Sequence, residues 1–157
     1  MYFRTSKIKK SLTIFLDADG VLNKESDWQT PFSLNNSCVL TFSKLWTELS
    51  KKYCLSLVLI SSWRSGKSKY GNTDAYNHLE TALKQYGIKI NDTTPLSNKR
   101  RQNEVNYYIR RNNIDQYIVI DDDESLYDDP TKINLYRPNY KTGLVDSDIK
   151  KITHELK

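Results

Sequence analysis

Residues 12–20 read LTIFLDADG, in which a short apolar run ends on two aspartates that are one residue apart. Two later stretches share this design: LSLVLI at 55–60 runs into Ser61, and YIVI at 117–120 runs into Asp121. Continuous apolar runs of this length are typical of strands that are buried on both faces of a parallel sheet. The three runs therefore predict three core strands, each of which ends at a polar side chain.

Amphipathic helical patterns separate the predicted strands. In residues 37–53 the apolar side chains recur at the spacing of one helix face. Similar patterns predict helices at 76–86, closed by Gly87, and at 101–112 and 146–156, and short strands are expected at 88–90 and 133–136. Strands that alternate with helices indicate the α/β class, and we predict a three-layer Rossmann-like sandwich with a central parallel sheet.

The size and composition of the chain favour one domain over residues 1–157. Its 157 residues, 38% of them hydrophobic, can bury a core without disulfides. Cys38 and Cys54 fit neither a disulfide framework nor a metal motif, and because a signal-peptide pattern is missing we expect a cytoplasmic protein. No stretch is apolar enough to span a membrane. The net charge of +5 admits polyanionic partners without demonstrating them.

Acidic side chains are concentrated where the predicted strands end. Asp17 and Asp19 follow the first strand, and three consecutive aspartates at 121–123 follow the third. Because parallel strands place their carboxyl ends at one edge of the sheet, these carboxylates are expected to meet in one crevice. Their mutual repulsion there requires a cation, and with no histidine or cysteine placed as a ligand, the hard oxygen donors favour Mg²⁺. One aspartate of such a pair can act as a covalent nucleophile while the other serves as general acid and base.

Four motifs make the chain resemble the haloacid dehalogenase-like (HAD) phosphatases. DADGVLN at 17–23 resembles the first motif of that superfamily, LVLISSWR at 57–64 the second, and VIDDD at 119–123 the acidic fourth. The basic residues at 99–101 lie where the third motif supplies a cation. The chain is more particularly similar, over about residues 12–156, to the small HAD domain of RNA-repair-associated Swiss Army Knife proteins, whose final TGL motif recurs here.

This resemblance implies a role for each matching residue. Asp17 would be the nucleophile of a HAD-type phosphatase, Asp19 the general acid and base, and Ser61 the residue that holds the transferring phosphoryl group. Mg²⁺ would lie between Asp17, the backbone carbonyl of Asp19 and Asp122, with Asp121 in support.

The cation of the third motif has more than one candidate. Lys99, Arg100 and Arg101 all lie in the matching stretch, and alignment on the Glu104–Val105 pair selects Arg101. An arginine at this position can neutralise phosphate charge, although its planar fork is not equivalent to a lysine ammonium.

Further residues of the predicted site face the substrate. Gly20, Ser62 and Arg64 are expected to bind substrate. Arg64 either binds a substrate phosphate through two N–H groups or has a structural role. Trp63 either stacks on a base or is buried beside the strand end. Asp123 is expected to be a solvated loop acid.

No insertion in the sequence is long enough for a full cap domain. The single HAD-like domain has a basic extension at 1–10, and only a short flap at 20–36 precedes the first predicted helix. A capless site is open, which suits the end of a macromolecule. The expected partner is a phosphorylated substrate such as an RNA or DNA 3′-phosphate end. The alternatives are a small-molecule or nucleotide phosphatase and a non-catalytic module that binds nucleic acid or protein.

Overall fold

The fold is built on one parallel sheet. The computed structural model describes residues 7–68, 71–72, 74–97 and 100–156. Its strands are β1 (Lys10–Leu16), β2 (Tyr53–Leu59), β3 (Lys67–Ser68), β4 (Gly71–Asn72), β5 (Asp92–Thr93), β6 (Tyr117–Ile120) and β7 (Leu135–Tyr136). The α-helices are α1 (Asn36–Ser50), α2 (Asp74–Lys84), α3 (Arg101–Arg111) and α4 (Asp146–Glu155). The predicted α/β class is confirmed.

The order of the strands places the end of β1 at the centre of the sheet. The main sheet runs β5-β2-β1-β6-β7 with every neighbouring pair parallel, and β3 and β4 form a separate antiparallel ribbon. From β1 the chain winds outward to β2 and β5 and then crosses to β6 on the other side of β1. Open sheets of this kind bind ligands where the winding reverses, at the carboxyl ends of the strands concerned. In this sheet those strands are β1 and β6.

The register of the strands brings the predicted polar ends to one edge. Leu16, the last residue of β1, pairs with the last residue of β2 and with the last residue of β6. The loops that carry Asp17, Ser61 and Asp121 therefore leave the sheet side by side.

The side chains of β1 fill two apolar layers. Leu12, Ile14 and Leu16 pack in a core with α1, α2 and α4, whereas Phe15 packs on the other face with Val105 of α3. Neighbouring side chains of a strand point to opposite faces, so one continuous apolar run serves both layers. This arrangement is the predicted three-layer sandwich.

The strand expected at 88–90 is wrong, because regular pairing begins only with β5. The Asn91 side-chain oxygen accepts a hydrogen bond from the backbone N of Leu57 at 2.8 Å. The Leu57 N–H is therefore bonded to a side-chain oxygen instead of the backbone carbonyl that a neighbouring strand would offer. Both isoleucines of the segment are nevertheless buried in the core. The strand expected at 133–136 is present as β7, over its last two residues only.

Cys38 is buried and Cys54 is exposed, and both thiols are free.

Among the helices of the described residues, none combines the length and the apolar character that crossing a membrane requires.

The two faces of α1 allow a direct test of the layer arrangement. Leu45 is fully buried and Leu40 is 42% exposed. Leu45→Ala should lower the free energy of unfolding by about 3 kcal/mol, because it leaves a cavity in the core, whereas Leu40→Ala should cost less than about 0.5 kcal/mol. Urea denaturation of both variants measures the difference, and equal costs would contradict the packing of α1 described above.

Candidate active site

Three aspartates meet at the carboxyl ends of β1 and β6. Asp17, Asp121 and Asp122 each offer a carboxylate oxygen, and these oxygens all lie within 4.8 Å of one another. The loop after β1 is tied to β6, since Asp17 N donates to Ile120 O at 2.9 Å. Asp17 is 6% exposed and Asp121 is fully buried. The structure therefore brings together three of the carboxylates that the sequence assigns to the metal.

Burial and mutual repulsion disfavour the charged forms of these acids. The pKa of Asp17 is raised well above its ordinary value, first by burial and second by the negative charge of Asp121. Burial, followed by the charge of Asp121, raises the pKa of Asp122 to about 6. A cation within the cluster would relieve both effects.

Arg101, the first residue of α3, supplies one such cation. Its Nη1 lies 2.7 Å from Asp121 Oδ2 and 3.5 Å from Asp17 Oδ1. Although burial acts against the charge, the Asp17 and Asp121 carboxylates raise the pKa of the Arg101 guanidinium above its ordinary value. Arg100 is directed elsewhere, with its Nε 2.8 Å from Asp128 Oδ1. Lys99, the third candidate, lies outside the described residues.

The hydrogen bonds of Asp121 separate its role from that of the other two acids. Its Oδ2 accepts from Arg101 and from the Tyr127 hydroxyl at 2.8 Å, and its Oδ1 accepts from Asp123 N at 3.0 Å. Both oxygens therefore have protein donors. This leaves Asp17 and Asp122 as the better candidates for direct metal ligands, with Asp121 orienting Arg101.

The donor set fits Mg²⁺. Three carboxylates face one guanidinium, so the cluster retains excess negative charge, and hard oxygen donors are those that Mg²⁺ prefers. Gly20 makes room for the cluster, because a Cβ at this position would lie 2.4 Å from Asp122 Cγ. The backbone of Gly20 is also in the left-handed region, at φ 75°.

Asp19 follows Asp17 by two residues, and two donors hold its carboxylate. Asn23 Nδ2 donates to its Oδ1 at 2.9 Å, and Trp63 Nε1 donates to its Oδ2 at 3.1 Å. Asp19 remains partly exposed. Its carboxylate is thus fixed in orientation and open to solvent, as proton exchange with a bound substrate requires.

Asn23 is a site residue that the sequence analysis missed. It is 1% exposed and makes four hydrogen bonds: its Oδ1 accepts from Gly20 N and Trp28 Nε1, and its Nδ2 donates to Asp19 and to Ser33 O. One amide therefore joins the turn after β1, the predicted acid-base residue and the flap. Its place three residues after the glycine of DADG is the signal that could have identified it.

The segment after β2 contributes residues of different exposure. Ser61 is fully buried, and its Oγ accepts from Trp63 N at 3.2 Å. Ser62 is exposed. Trp63 is only 2% exposed, so of the two roles open to it the structure favours burial beside the strand end.

Arg64 contacts protein groups rather than the crevice, which differs from the substrate contact expected for it. Its guanidinium donates to Thr94 O at 3.1 Å, to Ser61 O at 2.9 Å and to the carbonyl of Ile60. It also pairs with Glu104 at 2.5 Å, and both side chains of this pair are almost fully buried. Arg64 therefore connects the end of β2 to α3, the helix that carries Arg101.

One of the comparisons with known proteins finds a family for the chain. Residues 13–149 match the protein-family model described as the HAD domain in Swiss Army Knife RNA repair proteins. The matched range contains every site residue described above. No curated protein matches the chain.

The close approach of Gly20 to Asp122 generates a testable prediction. Millimolar Mg²⁺ should raise the melting temperature of the parent protein, and Gly20→Ala should abolish this rise because it displaces the Asp122 carboxylate. The matched control is Gly87→Ala, which has a similar φ of 70° but no atom within 4 Å of its added Cβ. Because an alanine disfavours the left-handed backbone conformation, both substitutions should lower the free energy of unfolding by about 1 kcal/mol through this effect. Only the control should keep the Mg²⁺ effect. A Mg²⁺ effect that survives Gly20→Ala would contradict the proposed position of the metal.

The buried ion pair generates a second prediction. Glu104→Gln should lower the free energy of unfolding by about 3 kcal/mol, because it leaves the buried Arg64 charge without an opposite charge beside it. Glu48→Gln removes the exposed pair with Lys51, whose side chains are 62% and 49% exposed, and should cost less than about 0.5 kcal/mol. Chemical denaturation of the two variants checks this contrast, and a small loss for Glu104→Gln would show that the pair does not hold α3 in place.

Proposed function

Because this chain belongs to the family of HAD domains in Swiss Army Knife RNA repair proteins, we propose that it is a Mg²⁺-dependent phosphomonoesterase that acts on nucleic-acid ends. The family supports a HAD-type hydrolase in general. The observation that carries the proposal further is the pairing of two acids in different environments, the buried Asp17 and the partly exposed Asp19. Acids separated in this way are suited to separate tasks.

Asp17 is the proposed nucleophile. One of its carboxylate oxygens attacks the phosphorus of the substrate, and the bond from phosphorus to the leaving alcohol oxygen breaks, which gives an aspartyl-phosphate. Arg101, at 3.5 Å from Asp17, restrains this carboxylate and faces the incoming charge. When bound, Mg²⁺ offsets the negative charge of the carboxylates and of the phosphoryl oxygens.

Asp19 is the proposed general acid and base. Held by Asn23 and Trp63, it gives a proton to the leaving alcohol oxygen in the first step. In the second step it takes a proton from a water molecule, whose oxygen attacks the phosphorus. The bond between phosphorus and Asp17 breaks, inorganic phosphate leaves, and both carboxyl groups return to their starting states.

The open site supports a substrate that is larger than a metabolite. The described residues between Asp17 and Ser61 form the flap, α1 and β2, and those between Ser61 and Arg101 include the β3–β4 ribbon, α2 and β5. Neither segment provides a cap domain over the carboxylates in the part of the chain that the structure describes. A site that no cap domain of the described residues covers and a net charge of +5 fit an RNA or DNA end that bears a 3′-phosphate.

The proposal predicts Mg²⁺-dependent release of phosphate from 3′-phosphorylated RNA or DNA oligonucleotides. Asp17→Asn should lower kcat by about 10³-fold or more, because it removes the nucleophile. The matched control is Asp115→Asn, an exposed aspartate at the opposite end of β6, which should keep full activity. A phosphate-release assay with and without Mg²⁺ measures both effects.

Two results of that assay would contradict the proposal. Turnover of nucleotides or sugar phosphates alone would show that the substrate is a small molecule. Binding of oligonucleotides without turnover of any phosphate ester, including a generic aryl phosphate, would show a non-catalytic module.

A further inference from the structure

We propose that a groove under the flap holds the base of the terminal nucleotide, next to the phosphate that is removed. This inference rests on the proposed function, since it concerns the leaving group of the same reaction. The flap groove has a volume of about 470 Å³ and is lined by Asp19, Ser62 and Trp63 together with residues of the flap, including Trp28 and Phe32.

The position of Asp19 connects the groove to the chemistry. Asp19 is the proposed proton donor to the leaving oxygen, and it is also one of the residues that line the flap groove. The atoms attached to that oxygen must therefore lie beside the residues that line the groove. In a nucleic-acid 3′-phosphate those atoms belong to the sugar of the terminal nucleotide, whose base extends further in.

The flap presents aromatic rings to this space. Phe32 is 51% exposed and Trp28 is 43% exposed, which is high for large apolar side chains. Phe32 meets the edge of the buried Trp63 ring, with centroids 5.4 Å apart and an interplanar angle of 86°. Trp28 is held by Asn23 and stacks on Tyr140 at 6.0 Å. Exposed rings that are fixed in place can stack on a base with little loss of side-chain freedom.

The charge of the groove favours a base over a second phosphate. Among the described residues that line it, Asp19 is the only one with an ionisable side chain, and lysine and arginine do not contribute. A sugar bisphosphate or an internucleotide phosphate placed here would find a carboxylate and no cation. An uncharged planar ring fits this lining, so the remaining phosphates of a polymer would have to lie outside the flap groove.

The backbone conformation of Phe32 is a second, independent indication that its side chain contacts a ligand. Its φ of 55° is in the left-handed region, which costs a residue with a Cβ about 1–2 kcal/mol. Strained positions of this kind concentrate at ligand clamps and active sites. Phe32 is strained, and about half of its side chain stays exposed despite the contact with Trp63, so contact with a ligand accounts for this residue better than contact with the core.

Equilibrium binding tests the inference without relying on turnover. The probes are two 3′-phosphorylated RNA oligonucleotides that differ only in the terminal nucleotide, which carries a base in one and is abasic in the other. Both are titrated, in the presence of Mg²⁺, into the Asp17→Asn variant, which cannot form the aspartyl-phosphate. The variant should bind the base-bearing oligonucleotide about tenfold more tightly.

A second substitution assigns this preference to the flap groove. Phe32→Leu, added to Asp17→Asn, should bring the two affinities together, while Phe32→Tyr should keep the preference because the ring remains. Tyr107→Leu removes an aromatic side chain of α3 that is 45% exposed, and should leave the preference unchanged. Equal affinities before any change at Phe32, or a preference that survives Phe32→Leu, would overturn the inference.

Failure of the proposed function would be seen separately. Release of phosphate from the base-bearing 3′-phosphorylated oligonucleotide by the wild-type protein, in the presence of Mg²⁺, reports the proposed reaction itself. Absence of that release would contradict the proposed function, and the ratio of the two binding constants would still decide whether the flap groove recognises a base.

Discussion

Repulsion between buried carboxylates is the constraint on which the site depends. The strand order places β1 beside β6, and in their register both strands end at the same level. Asp17 and Asp121, which follow these ends, therefore lie close together. Burial makes the repulsion costly, and the raised pKa values of Asp17 and Asp122 record that cost. Arg101 compensates in part, and its own position depends on the buried pair of Arg64 and Glu104 that holds α3 against the end of β2. A protein that keeps such a cluster gives up stability at the site, which fits a binding role for a divalent cation.

Much of this arrangement could be predicted from local patterns. An apolar run followed by aspartate indicates a strand with a polar end, and parallel packing then requires the ends to meet, so the residues alone predict that Asp17, Asp19 and the aspartates at 121–123 lie in one crevice. The choice of Asp122 as a metal ligand within that group comes from the resemblance to HAD phosphatases. The contacts of a long side chain cannot be predicted from local patterns, because they depend on residues that are distant in the sequence. The position of Arg64 after β2 suggests a contact with substrate, yet its guanidinium pairs with Glu104, forty positions further along the chain. The strand expected at 88–90 failed for a similar reason, since the Asn91 side chain competes for a strand donor.

In the proposed reaction, the flap connects the acid-base residue Asp19 to the groove that we infer for the base. Through Asn23, the turn that carries Asp19 and the loop that carries Trp28 form one hydrogen-bonded unit. A movement of the Trp28 ring would therefore also move Asp19, the proposed proton donor. In a protein without a full cap domain over its carboxylates in the described residues, this unit can do on a small scale what a cap does elsewhere, which is to place the leaving group and limit access of water.

Isothermal titration of Mg²⁺ into the protein, with no substrate present, tests the central claim most directly. One Mg²⁺ should bind per chain, because the Asp17 and Asp122 carboxylates need a cation that Arg101 does not supply. Asp122→Asn should weaken this binding by about tenfold or more, while Asp123→Asn, which changes the neighbouring exposed aspartate, should leave it within about twofold, since it removes no proposed ligand. Binding of Mg²⁺ to the Asp122→Asn variant with unchanged affinity would contradict the account.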